Sequence, residues 1–165
     1  MKKQLPNLRK IFVDCLIKLA KRDKDIILLT GDVGYSYFER FQEKFPKQFI
    51  NCGVIEQTMM GIVSGLALSG KKPYVYSMVP FITMRCYEQL RNDVCYHNAN
   101  VKILGVQGNV YYNFYGFSHN IEKNEDLKIL KHLPNIKCYT PKTEEEVKKI
   151  ILKTYKEKTP VYIRL

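Results

Sequence analysis

The chain has 165 residues, enough for one domain with a sizeable core and too few for two, and 45% of them are aliphatic or aromatic, which excludes a disordered chain. A formal net charge of +11 raises nucleic acid as a partner, but the lysines are interleaved with acids. Over residues 142–158, Glu144, Glu145 and Glu146 are followed by Lys148, Lys149 and Lys153, the pattern of a solvated helix face rather than a groove binder.

No apolar run is long enough to span a bilayer, and Met1-Lys2-Lys3-Gln4-Leu5-Pro6 lacks the apolar stretch of a signal peptide. The expectation is a cytoplasmic protein without membrane or nucleic-acid partners, whose positive charge suits phosphorylated substrates or an acidic partner chain. Cys15, Cys52, Cys86, Cys95 and Cys138 form no Cys-x-x-Cys pair, so they read as reduced residues, mostly in the core, rather than a zinc site or disulfide framework.

Helices and strands alternate along the chain. A helix is expected over Leu8–Lys21, where Leu8, Ile11, Phe12, Cys15, Leu16 and Leu19 recur at helical spacing and Arg9, Lys10, Lys18 and Lys21 face away. A strand over Ile26–Thr30, a helix over Ser36–Lys44 and a strand over Phe49–Cys52 follow. Gly53 makes the turn into a helix over Gln57–Leu68 that carries Gly61, Ser64, Gly65 and Ala67, small residues that allow another backbone to come near. Next come a strand at Pro73–Met78, a helix at Phe81–His97, a strand at Lys102–Gln107, a helix at Glu125–Lys131, a strand at Ile136–Tyr139, a helix at Thr143–Glu157 and a strand at Val161–Leu165. This order predicts an α/β fold: a mostly parallel sheet with helices on both faces, formed as a single domain over residues 1–165, with its site at the carboxyl ends of the strands.

Glu56 opens the third helix, and two readings are open from the residues alone. Lodged against protein, its proton affinity would rise and equip it for acid–base work; in a solvated first turn it would only complement the helix dipole. Phe81 reads equally as a core ring at the head of a helix or as an aromatic surface for a flat ligand. Asp32 follows the first strand in Gly31-Asp32-Val33-Gly34, a turn without the Walker lysine or the dinucleotide fingerprint, where a carboxylate can simply accept from nearby amides. No paired histidines, nucleophile elbow or protease signature appears, and His97 and His132 fall near helix ends.

The segments in sequence carry more than any one of them. Leu29-Thr30-Gly31-Asp32-Val33-Gly34, Phe45-Pro46, Gly53-Val54-Ile55-Glu56-Gln57 and Gly65 through Pro73 are followed by Phe81, Arg85 and Tyr87-Glu88-Gln89-Leu90-Arg91. Gly116-Phe117-Ser118-His119, Leu133-Pro134-Asn135-Ile136 and Thr140-Pro141 complete the series. Over about residues 8–165 this resembles the pyrimidine-binding domain of the transketolase group of thiamine-diphosphate enzymes, which includes deoxyxylulose-phosphate synthase.

The resemblance implies roles for particular residues. Glu56 would contact the aminopyrimidine ring nitrogen of thiamine diphosphate and so trigger the cofactor. Phe81 would stack on the pyrimidine, with Met78 and Met84 filling the pocket. Arg85 would hold helix and pocket or face a substrate anion, Asp32 and Gly34 would lie near the cofactor's other binding domain, and His119 would reach the substrate. Tyr115 departs from the pattern, since many members have aspartate there, and Glu125-Asp126 lies farther from His119 than usual. The donor expected is therefore not a standard sugar phosphate.

The family's Gly-Asp-Gly motif for diphosphate and Mg2+ is missing, and no room remains after Leu165 for its usual carboxyl-terminal domain. The resemblance thus implies one component of a split enzyme or an excised domain, with diphosphate and Mg2+ held by a second subunit. Self-association in a heterotetramer is also expected. The expected activity is transfer of a two-carbon ketol unit between sugars or sugar phosphates. The alternatives are a two-chain thiamine-dependent 2-oxo acid decarboxylase or synthase, and a non-catalytic module that keeps the fold.

Overall fold

The computed structural model describes residues 7–108 and 112–165; Met1 to Pro6, read above for a targeting signal, lie outside them. Its strands are β1 (Ile26–Thr30), β2 (Phe49–Asn51), β3 (Lys72–Met78), β4 (Lys102–Val106), β5 (Lys137–Tyr139) and β6 (Val161–Arg164). They form one six-stranded sheet in the order β2-β1-β3-β4-β6-β5, and every neighbouring pair is parallel. The predicted parallel sheet and all its strands are present.

The helices are α1 (Leu8–Ala20), α2 (Glu39–Lys44), α3 (Glu56–Leu68), the short α4 (Tyr87–Gln89), α5 (Glu125–Leu130) and α6 (Glu144–Lys156). Buried strand residues alternate between two cores, because successive side chains on a strand point to opposite faces. Ile26, Leu28, Tyr74, Tyr76, Leu104, Val161 and Ile163 pack with Phe12 and Leu16 of α1, Phe41 of α2, and Val147 and Ile151 of α6. Ile27, Leu29, Val75, Ile103 and Tyr162 pack on the other face with Met59, Met60 and Val63 of α3 and Leu130 of α5. At the amino ends of the strands, Asp23 Oδ2 accepts from Lys72 Nζ at 2.6 Å and from Tyr155 OH at 2.8 Å, which ties α6 to the sheet.

Residues 81–97, expected as one helix, are wound differently. Two π-helical stretches, Phe81–Arg85 and Leu90–Tyr96, flank α4. Side chains take up carbonyls that the wider winding loosens: Thr83 Oγ1 donates to Val79 O at 2.6 Å, and Cys86 Sγ to Ile82 O at 3.1 Å. Hydrophobic spacing does not distinguish such windings. A 3-10 segment at Asn113–Ser118, which the spacing of the sequence does not predict, lies beyond the carboxyl end of β4. Among the described residues, no helix is long and apolar enough to cross a membrane.

Candidate active site

The carboxyl ends of β1, β3 and β4 place Gly31, Phe81 and Gly108 around one region, as a parallel sheet requires of its connections. β2 leads through Gly53, whose φ of 73° glycine adopts without steric cost, into α3. Asn51 fixes this approach, its Oδ1 accepting from the Gly53 N–H at 3.0 Å and the Asp32 N–H at 3.1 Å.

Glu56, the first residue of α3, is 1% exposed. Burial removes the solvated first-turn reading. Its Oε2 accepts from Arg85 Nη1 at 2.8 Å, whereas Oε1 is buried without a hydrogen-bond partner. A buried unpartnered acceptor costs roughly 1–3 kcal/mol, so Oε1 has the capacity to accept a further hydrogen bond. Gly31 leaves room beside it: a Cβ there would stand 3.5 Å from Oε1.

Arg85 does two things at once. While it pairs with Glu56, its guanidinium lies 3.8 Å from the Phe81 ring centroid. The four-residue separation on π-helical backbone thus couples the carboxylate to the aromatic ring. Phe81 in turn meets His119 edge-on, with centroids 4.9 Å apart and planes at 72°. Tyr115 stacks on the other side of the imidazole at 4.4 Å and 25°. Glu56, Arg85, Phe81, His119 and Tyr115 therefore form one continuous chain of contacts across a sequence separation of more than sixty residues.

Met78 is buried in the same core as Phe81, below the site. Met84, expected to fill the pocket, is 36% exposed and lines a separate depression with Tyr87, Ile129 and His132. Asp32 adopts φ 57°, and its Oδ1 accepts from Tyr35 OH at 2.6 Å and Asn51 Nδ2 at 3.1 Å. These two bonds, Tyr35 first, hold its carboxyl below the usual carboxylate range. The acceptor role anticipated for backbone amides is filled by side-chain donors, and Asp32 lines a cleft with Thr30, Glu39 and Phe49. His97 is exposed, as is His132. Among the described residues, no group of three or more His, Cys, Asp or Glu side chains is placed to hold a metal ion.

How His119 is held was not predicted from the sequence. Gly108 lets the His119 segment lie against the end of β4, since a Cβ on Gly108 would overlap the His119 carbonyl oxygen. Asn120, 8% exposed, donates from Nδ2 to Tyr112 O at 3.1 Å and Gly116 O at 2.6 Å, stapling the loop that carries Tyr115. Farther back, Asp126 is fully buried and accepts from Tyr162 OH at 2.7 Å and Arg164 Nη1 at 2.8 Å. The acidic pair Glu125-Asp126 thus supplies an anchor for α5. A glycine just past a predicted strand was the signal for Gly108; nothing local in the sequence marks Asn120.

Known proteins share this sequence pattern and fold. Residues 4–165 match the family model for the transketolase pyrimidine-binding domain. One subunit of an apulose-4-phosphate transketolase from Phocaeicola vulgatus is 37% identical over 158 residues, covering 95% of this chain and 50% of that protein. A putative transketolase C-terminal section of Methanocaldococcus jannaschii is 33% identical over 159 residues, covering 96% and 50%. A solved structure described as a split-gene transketolase, inactive beta4 tetramer, superposes with a TM-score of 0.83 at 32% identity, covering 96% of this chain and 50% of that one. The chain spans about half the length of these relatives.

Proposed function

Because the chain belongs to the transketolase pyrimidine-binding domain family, we propose that it forms half of a thiamine-diphosphate site in a split transketolase-like enzyme. The reaction is transfer of a two-carbon ketol unit between sugars. The observation that carries this reading is the buried Glu56 carboxylate with one oxygen engaged by Arg85 and the other unpartnered. An aminopyrimidine ring nitrogen is the kind of partner that Oε1 fits, and Gly31 keeps the approach open beside it.

Bound thiamine diphosphate supplies the nucleophilic carbon and electron sink for carbon–carbon bond cleavage. Glu56 holds the proton exchanged with the ring nitrogen at Oε1, and Arg85 fixes the carboxylate through Oε2. Phe81 offers the aromatic surface, Met78 backs it from the core, and Asp32 borders the neighbouring cleft. His119 exchanges a proton with a substrate hydroxyl, and Tyr115 shapes the space beside it.

The diphosphate and Mg2+ belong in this reading to a second subunit. Relatives named as a transketolase subunit and as a transketolase C-terminal section support a divided enzyme. The exposed face of α3, with Ile62 and Gly65, together with exposed Ile55 just before it, suits close packing and supports self-association within a heterotetramer. A sugar or sugar phosphate is the substrate class.

Calorimetry with thiamine diphosphate and Mg2+ tests the proposal, using this chain alone and mixed with a candidate partner chain that carries the diphosphate anchor. Weak binding alone, with tight binding and turnover in the mixture, is expected. Tight Mg2+-dependent binding by this chain alone would overturn it.

A further inference from the structure

His119 makes two kinds of contact that together decide where its proton sits. Its Nδ1 lies 2.7 Å from Ser118 Oγ, and the same hydroxyl lies 3.0 Å from the Tyr115 carbonyl oxygen. Serine has one proton to donate, and a carbonyl has none. If that proton pointed at Nδ1, Oγ and the Tyr115 oxygen would face each other at 3.0 Å with no hydrogen between them. Both contacts are satisfied together only when Ser118 O–H donates to Tyr115 O and Nδ1–H donates to Ser118 Oγ.

We propose that Ser118 is a positioning residue that holds neutral His119 in the Nδ1–H form, leaving Nε2 with a lone pair. The aromatic walls fix the plane of the imidazole in which Nδ1 meets Ser118: Tyr115 stacks on it, Phe81 approaches edge-on, and the Tyr112 ring centroid lies 6.2 Å away. Free imidazole side chains have no such constraint, and which nitrogen carries the proton follows from the hydrogen bond made by the other.

The chemical consequence rests on the proposed function, in which His119 faces the substrate. An Nε2 lone pair accepts a proton from a substrate O–H: the O–H bond breaks, the Nε2–H bond forms, and the resulting imidazolium keeps its Nδ1–H on Ser118 Oγ. The alkoxide left behind is the species whose collapse to a carbonyl accompanies carbon–carbon cleavage. His119 thus begins the cycle as a base and returns the proton when the new bond is made.

The decisive measurement is 15N-detected NMR of the imidazole nitrogens at alkaline pH, where the rings are neutral. Only three histidines are present, and His119→Gln assigns the one in question. His97 provides an internal standard, because its Nδ1 lies 3.0 Å from the Asn92 carbonyl oxygen and must donate to it. His119 should match the His97 pattern, Ser118→Ala should shift it toward the Nε2–H form, and Ser118→Thr should restore it.

An Nε2–H pattern in the unaltered protein, or no change in Ser118→Ala, overturns the proposal. Should Ser118→Ala fail to fold, the unaltered protein and Ser118→Thr still decide. In the reconstituted two-chain enzyme, Ser118→Ala should lower kcat about tenfold with little change in KM, and Ser118→Thr should recover it. The predicted NMR pattern combined with unaltered turnover in Ser118→Ala would leave the assigned proton position standing and refute the placement of His119 at the substrate.

Discussion

Arg85 engages Glu56 through one oxygen only: Nη1 lies 2.8 Å from Oε2, while Oε1 remains buried and unpartnered. A purely structural ion pair would gain from a bidentate contact, which is the stronger geometry for arginine and carboxylate. The one-sided pair instead fixes the carboxylate and keeps an oxygen available. Glu56→Gln keeps the shape and an acceptor for Arg85 but removes the acid function. Hydrogen–deuterium exchange at the thiazolium carbon in the assembled enzyme should fall by about 100-fold or more, while the circular dichroism spectrum is retained. Exchange at the original rate would remove Glu56 from the mechanism.

Gly108 holds His119 by absence. A Cβ at this position would overlap the His119 carbonyl oxygen, a backbone atom that cannot swing aside as a flexible side-chain end could. Gly108→Ala should therefore displace the loop, costing about 1–3 kcal/mol in chemical denaturation and lowering turnover more than cofactor affinity. Unchanged His119 resonances in this variant would show that the loop accommodates the methyl group.

Tyr115 stacks on His119 with centroids 4.4 Å apart, and Phe114 lies 4.2 Å from the Tyr115 ring on the outer side. An aromatic shell in place of a carboxylate removes a charged acceptor from the substrate's surroundings and fills space. Tyr115→Asp should raise the turnover of ordinary ketose phosphates relative to deoxy or nucleotide-linked sugars. Competition between the two classes measures the ratio directly, and an unaltered ratio would leave Tyr115 without a specificity role.

Much of the fold was legible because parallel strands buried on both faces leave strong local marks. Ile26-Ile27-Leu28-Leu29 and Ile103-Leu104-Gly105-Val106 read as strands directly from their apolar runs. The π-helical winding around Phe81 was not legible, since Thr83 and Cys86 satisfy the loosened carbonyls through contacts that no periodicity encodes. At the site, resemblance selected Glu56, Phe81, Arg85 and His119. The pairing of Glu56 with Arg85 and the edge contact of Phe81 with His119 required the folded arrangement, because α3, the π-helical stretch and the β4 loop meet only across the sheet's carboxyl end.

Lys102, far from this site at the amino end of β4, gives the molecule a measurable pH dependence. The residue is 2% exposed, and Nζ donates to Asn100 Oδ1 at 2.6 Å and to Glu157 O and Thr159 O, each at 3.0 Å. Burial pulls its pKa from 10.5 down to about 8, with Glu157 opposing and Lys137 assisting. Between those values the unfolded chain binds more protons than the folded one, so this group makes stability rise as pH increases through 8 toward 10.5. Buried Tyr74 and Tyr76 are raised above their ordinary value of 10, so their unfolded forms ionise first and stability falls above about pH 10. Burial likewise raises the thiols of Cys86, Cys95 and Cys138 from 9 to about 12, 12 and 11, so their unfolded forms ionise first and oppose the Lys102 gain above about pH 8. The Lys102 contribution is therefore read as the difference in urea unfolding between the unaltered protein and Lys102→Met, which should grow by about 2 kcal/mol from about pH 7 to 9.5. Lys102→Met should lose this slope and also lower stability near pH 7, because three oxygen acceptors are left without their donor. A variant that retains the full slope would assign it to another group.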